Sequence, residues 1–287
     1  MYKRAVITDE ISQDFARAVE VAREFGLEGV ELRSAWDKNP HELGKEERRR
    51  IRDLAGRAGL SIPCVAGPIF KCQLYDERDY QEHLTVLERC LDVAHELGAG
   101  LVRGFTFWDD GDFERALPWI AERLAAIGPT LRAAKVKMVL ESDPATAANS
   151  HQKLSRVLAM TASDEIKALW DPGNNLYVSG ATRPFPEGYE LLRPYLAHIH
   201  VKDIRRQAGA AEPEACCLGQ GEVGYARVFP RLVADGYDGW LSLETHYRKR
   251  GPISDELLAL PKGSAFSLGG EEATRECLAA WNGMLDR

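Results

Sequence analysis

Short apolar runs and longer amphipathic stretches alternate along this chain from one end to the other. The apolar runs cover residues 5–8, 29–33, 61–66, 100–107, 135–141, 166–171, 197–202 and 240–244. Each is rich in Val, Ile, Leu or aromatic side chains, the pattern of strands covered on both faces in a parallel sheet. Between them, apolar positions recur at helical spacing over 15–25, 45–58, 80–97, 113–134, 150–159, 188–195 and 226–235, and a last helix is expected over 271–285. Eight strand–helix units, with crossovers long enough for parallel pairing, predict an α/β fold of the closed (β/α)8 type, a TIM barrel, with an open doubly wound sheet as the alternative.

Turn residues support the same register. Gly26, Gly59, Gly98 and Gly236 each follow the end of an expected helix. A glycine there takes the left-handed conformation that closes a helix, and the next apolar residue packs back on it. No linker or composition shift interrupts the alternation, so a single domain over 1–287 is expected. Long loops at 207–224 and 248–270 follow the seventh and eighth strands and would emerge at the C-terminal rim, where loops of this architecture build sites.

Charge narrows the function. The 37 Lys and Arg against 44 Asp and Glu leave a net charge of −7, which speaks against nucleic-acid binding through bulk charge. No apolar run approaches the roughly 18 residues that span a membrane. Met1-Tyr2-Lys3-Arg4 leads into a strand rather than a secretory apolar segment, so a cytoplasmic protein is expected. The six cysteines form no Cys-x-x-Cys pair; Cys90 and Cys277 fall on apolar helix faces and read as small core residues, and the loop pair Cys216-Cys217 is given no catalytic role.

Candidate chemistry lies at strand ends. Four consecutive strands close on Glu141, Asp171, His200 and Glu244. Any one of these reads equally well as a helix cap or an arginine's partner, but four together read as a metal site, because buried charge is rare. Three carboxylates and an imidazole suit Mn²⁺ or Mg²⁺, and such donors also serve Zn²⁺ or Co²⁺. Crowded carboxylates without a cation would repel one another. His198 shares a strand face with His200 but sits one layer deeper, so His200 is expected on the metal and His198 in a structural hydrogen bond. Glu31 is expected in a structural pair, with orienting a ligand as the alternative. Gly219-Gln220-Gly221 lacks a following helix at dinucleotide spacing and reads as a tight loop.

With those residues in view, the chain resembles the xylose-isomerase-like barrels: sugar isomerases, ketose and sugar-phosphate 3-epimerases, and related dehydratases. The likeness runs from Gly29-Val30-Glu31-Leu32 through Asp171-Pro172-Gly173-Asn174 and His198-Ile199-His200-Val201-Lys202-Asp203 to Gly219-Gln220-Gly221-Glu222-Val223 and Gly236-Tyr237-Asp238-Gly239-Trp240-Leu241-Ser242-Leu243-Glu244. It implies a metal held by Glu141, Asp171, His200 and Glu244, with Glu141 and Glu244 as an acid–base pair on opposite sides of a bound sugar. It also implies substrate contacts from Asn174, Lys202 and Arg206. A salt bridge from Lys202 to a neighbouring rim carboxylate such as Asp203, a solvent role for Arg206, and rim packing for Trp36 and Trp108 in place of sugar stacking are the plainer readings. Asn174 replaces a histidine of the free-ketose epimerases and Ala147 replaces a glutamate, which points toward a sugar phosphate or a small hydroxy-ketone.

The expected function is therefore metal-dependent isomerisation or epimerisation by proton transfer alpha to a carbonyl. Two alternatives stand beside it: a dehydratase of the inosose or dehydroshikimate type, and a sugar-binding barrel without catalysis. The apurinic endonuclease branch needs more zinc ligands than seven histidines, few of them at rim positions, supply. The expected partner is a small carbohydrate or sugar phosphate, with no nucleic acid and no membrane, and association into a homo-oligomer is left open.

Overall fold

Eight strands run in chain order: β1 (Lys3–Ile7), β2 (Gly29–Glu31), β3 (Cys64–Ile69), β4 (Leu101–Gly104), β5 (Lys137–Glu141), β6 (Ile166–Trp170), β7 (Leu196–Val201) and β8 (Trp240–Leu243). The structure is a computed structural model describing residues 1–206 and 212–285. The chain divides into two compact units, Met1–Pro63 with His200–Arg287, and Cys64–Ile199.

In the first unit β1 lies between β2 and β8, both parallel to it, with Val6 opposite Val30 on one side and Leu243 on the other. The Glu244 N–H donates to the Val201 carbonyl at 3.0 Å, which fixes the end of β8 beside the end of β7. In the second unit β3 to β7 pair in sequence order, all parallel. Cys64, Val139 and Leu169 form a fully buried cluster there, with Leu101 and Ala197 packed against it, so each of the five strands contributes one side chain to the layer. That layer holds the strand ends in register.

Local chemistry explains the helix boundaries. Asp14, Asp76, Asp112 and Ser150 each accept a backbone N–H at a helix start. Gly26, Gly59, Gly98 and Gly236 all have φ between 67° and 72°, as the turn pattern predicts.

The larger departures from the expected boundaries have local causes. The third strand occupies 64–69 and not 61–66: Pro63 has no N–H to give a ladder, and Ser61 makes only an isolated bridge to Gly29. The fourth strand stops at Gly104. The single helix expected over 113–134 is two, Phe113–Ala126 and Gly128–Ala134, with Pro129 opening the second. Over 188–195 the α-helix covers only Tyr189–Leu192, and a 3₁₀ turn over Arg193–Tyr195, with Pro194 in its first turn, leads into β7.

The loop expected at 207–224 is partly ordered, since Asp203–Arg205 pairs antiparallel with Glu214–Cys216; residues 207–211 lie outside the described residues. The 248–270 loop contains two short helices, Asp255–Ala259 and Gly263–Ser267. All six cysteines are free and buried. Among the described residues no helix is long and apolar enough to cross a membrane.

Candidate metal centre

Charged side chains are buried at the C-terminal ends of the strands in both units. Glu31, Arg33, Arg103, Glu141, Asp171, Lys202 and Glu244 are each at most 4 % exposed. An ionised group taken out of water costs several kcal/mol unless partners repay it, so the pairing pattern carries information.

In the first unit the pattern centres on Glu244, just past β8. Its Oε2 accepts a bond from Lys202 Nζ at 2.7 Å, and its Oε1 accepts one from Arg33 Nη1 at 2.5 Å. His200 Nδ1 stands 3.4 Å from Oε2. Burial pushes the Glu244 carboxyl upward, but Lys202, His246 and His200 outweigh it and hold the group well below the usual carboxylate range. His200 turns its other nitrogen, Nε2, to Glu31 Oε1 at 3.2 Å, which makes Glu31 the structural partner the sequence suggested. A carboxylate on the far ring nitrogen is how proteins orient a metal-binding imidazole.

Arg33 also reaches Asp9 and Glu10, and Glu10 Oε2 further accepts from Arg248 at 3.2 Å. Burial would raise the Glu10 carboxyl, yet His246, Arg33 and Arg248 bring it down to about 2. Glu10, Glu244 and His246 offer ligand atoms within 4.8 Å of one another, so this unit has an acidic and histidine cluster that could hold a metal. Arg33 already bridges its two carboxylates, however, which makes that trio an ion-pair network first.

The second unit brings Glu141 and Asp171 to one residue. Asn174 donates its side-chain amide to Glu141 Oε1 at 2.9 Å and its backbone N–H to Asp171 Oδ1 at 3.0 Å. Arg103 Nη1 donates to Glu141 Oε2 at 3.1 Å and its Nη2 to the Ala66 carbonyl at 3.1 Å. His151 Nε2 contacts the Asp171 carbonyl at 3.1 Å. His198 is fully buried opposite Leu169.

A carboxylate oxygen that accepts one hydrogen bond has a second lone pair with which to meet a cation. Glu141 and Asp171 in one unit, and Glu244 with an oriented His200 in the other, are oxygen and nitrogen donors of the kind that divalent ions take.

Other expected residues are placed as follows. Lys202 pairs with Glu244 rather than Asp203, whose carboxylate instead accepts the N–H groups of Gly219, Gly221, Val223 and Ile204. The expected salt bridge to a neighbouring rim carboxylate is thus present, made to Glu244 and not to Asp203: side chains at i and i+2 share a strand face, so Lys202 follows His200 toward Glu244. Arg206 is exposed, its N–H given to Glu222. The Trp36 ring lies between Arg50, at 4.8 Å, and Phe15, at 6.5 Å. Trp108 has Lys71 Nζ 5.7 Å from its ring. Arg33, Arg103, Glu10, His246 and Lys71 were missed. Arg33 and Arg103 had left a signal: each is a charge inside a predicted apolar strand run.

The sequence matches the profile of the family described as xylose isomerase-like TIM barrel over residues 19–267. The chain belongs to that family, and its fold class is the (β/α)8 barrel expected from the strand–helix alternation. It is 23 % identical over 261 residues to an inosose dehydratase of Lacticaseibacillus casei, covering 80 % of this chain and 81 % of the relative. Among solved structures it is similar to a probable 3-DHS dehydratase, AsbF, of Bacillus anthracis, with a TM-score of 0.74, 18 % identity and 98 % of each chain covered. It is also similar to the 3-keto-D-glucoside 4-epimerase YcjR of E. coli, with a TM-score of 0.73, 14 % identity, and 99 % of this chain and 100 % of that one covered.

Proposed function

We propose that the chain is a divalent-metal-dependent enzyme that takes the proton alpha to the carbonyl of a small polyhydroxy-ketone, with Glu141, Asp171, His200 and Glu244 as the metal ligands. A bound Mn²⁺ or Mg²⁺ would act as a Lewis acid toward negative charge developing on the substrate carbonyl oxygen. Glu141 and Glu244 are the acid–base pair. One carboxylate removes the proton from the carbon beside the ketone, and the other supplies a proton to the opposite face in an isomerase or epimerase.

The observation that carries this reading is the bracing of every proposed ligand by a buried neighbour. His200 is oriented by Glu31, Glu141 and Asp171 by Asn174, and Glu244 by Lys202 and Arg33. Rigid support of this kind suits a site that must hold reacting atoms within a narrow geometry.

A second reading is favoured by the inosose dehydratase relative, whose likeness covers four fifths of both chains. A dehydratase starts with the same proton abstraction and then loses the β-hydroxyl as water. Incubation with Mn²⁺ in deuterium oxide tests the shared step: an inosose or a ketose should gain deuterium alpha to its carbonyl or give an absorbing enone. Enone without labelled ketone selects dehydration, and labelled ketone alone selects isomerisation or epimerisation. If neither appears with any member of a panel of inososes, ketoses and their phosphates, the catalytic reading fails. The Glu244→Gln variant, with metal content measured alongside, separates catalysis from binding: turnover should fall far more than ligand affinity.

A further inference from the structure

Beyond the braced ligands, the second unit contains a buried ion pair that the proposed chemistry does not use. Lys71, 6 % exposed, follows β3 and donates from Nζ to Asp143 Oδ2 at 2.8 Å, and Asp143 follows β5 by two residues. The ammonium lies 4.3 Å from the centre of the Phe105 ring and 5.7 Å from that of Trp108. A buried pair of this sort is a poor source of stability compared with apolar packing.

Backbone strain surrounds it. Phe70 and Phe107 both have φ of 64°, a left-handed conformation that bulky side chains avoid. Their rings stack at 5.2 Å, Phe70 also stacks on Tyr80 at 5.8 Å, and the Phe70 N–H donates to His83 Nδ1 at 2.9 Å. Packing thus locks two strained residues, and the residues immediately after them are Lys71 and Trp108, which are thereby turned toward each other. Strain held in place by surrounding structure clusters at functional sites.

We infer that Lys71, Asp143 and the Trp108 face form a specificity subsite for an uncharged vicinal diol of the substrate ring, an inference that rests on the polyhydroxy-ketone reading above. The ammonium has donors to give a hydroxyl oxygen, and the carboxylate has lone pairs to accept a hydroxyl hydrogen. The indole face covers the C–H side of a ring. Asp143 and Trp108 are the partly exposed members, as an entering ligand requires. Because the pair is neutral overall, a phosphate ester would meet the Asp143 carboxylate beside the only cation of the trio. The subsite therefore selects a free polyol ketone over its phosphate.

Calorimetric titration of the full, Mn²⁺-loaded chain tests this, with 2-keto-myo-inositol, D-fructose and D-fructose 6-phosphate as probes. The wild type should bind at least one uncharged probe more tightly than the phosphate. Lys71→Met should weaken that binding about tenfold or more, as loss of a charge-assisted hydrogen bond does. Asp143→Asn, which keeps the shape, should narrow the preference over the phosphate by about tenfold through loss of repulsion. Thermal melts establish that each variant folds, and Asp143→Asn decides the matter alone if Lys71→Met does not. Unchanged affinities in the folded variants overturn the inference, as does a wild type that prefers the phosphate or binds neither uncharged probe. Binding without deuterium exchange or enone formation would instead overturn the catalytic reading and leave the subsite standing.

Discussion

Glu244 and Glu141 are both 2 % exposed, yet their surroundings differ. Glu244 meets an arginine, a lysine and two imidazoles, His200 at 3.4 Å and His246 at 3.3 Å. Glu141 accepts from Arg103 Nη1 at 3.1 Å and from the neutral Asn174 amide at 2.9 Å. Equal burial therefore does not mean equal charge environment. Lys202, His246 and His200 hold the Glu244 carboxyl well below the usual carboxylate range despite its burial, and Arg33 joins it to Asp9 and Glu10, whereas Arg103 joins Glu141 to the Ala66 carbonyl.

The sharpest way to break this comparison is to neutralise each glutamate in turn. Glu141→Gln and Glu244→Gln should each cut turnover by about 10²- to 10⁴-fold, the usual worth of a positioned acid or base. A variant that retains both metal and turnover would remove its glutamate from the pair. Stability should then distinguish the two. Arg33→Met takes a cation from three buried carboxylates, Asp9, Glu10 and Glu244, and should cost about 3–5 kcal/mol in denaturant unfolding, whereas Arg103→Met takes one from Glu141 and should sit at the low end of that range. Equal losses would contradict the asymmetry.

Protonation gives a third handle. Burial lowers the His151 imidazole from 6.5 to about 4, against a contact with the Asp171 carbonyl that acts the other way. As pH falls below 6.5 the unfolded chain takes up the proton first, so stability declines from pH 6.5 to about 4 and then levels off, by roughly 3 kcal/mol in total. A His151→Asn variant should lose that slope in urea unfolding measured across the same pH range. The smallest effect is expected at Asn174: its change to Ala removes a neutral amide bond and should cost about 1 kcal/mol, while weakening Mn²⁺ binding about tenfold.

What the sequence disclosed and what it hid have physical causes. Strand ends, glycine turns and helix caps depend on neighbours in the chain, and Gly26, Gly59, Gly98 and Gly236 took the predicted conformation. The pairing of buried charges depends on contacts far apart in sequence: Arg33 lies 211 residues from Glu244, and Glu31 169 from His200. Composition contains no trace of which cation meets which carboxylate. Strand periodicity did place Lys202 on the face of His200 and a salt bridge to a rim carboxylate was legible, but which carboxylate, Glu244 and not Asp203, depends on a contact 42 residues away. The break at Pro129 was legible and passed over, because an apolar helical period continued across it.

The proposed chemistry requires one cation shared by Glu141, Asp171, His200 and Glu244. Mn²⁺ titration followed by electron paramagnetic resonance tests it, on the wild type and on Glu141→Gln, Asp171→Asn, His200→Asn and Glu244→Gln. The account predicts one tightly bound ion per chain and a loss of affinity of about tenfold or more in every variant. Two independent ions, one lost with Glu141 or Asp171 and the other with His200 or Glu244, would contradict it.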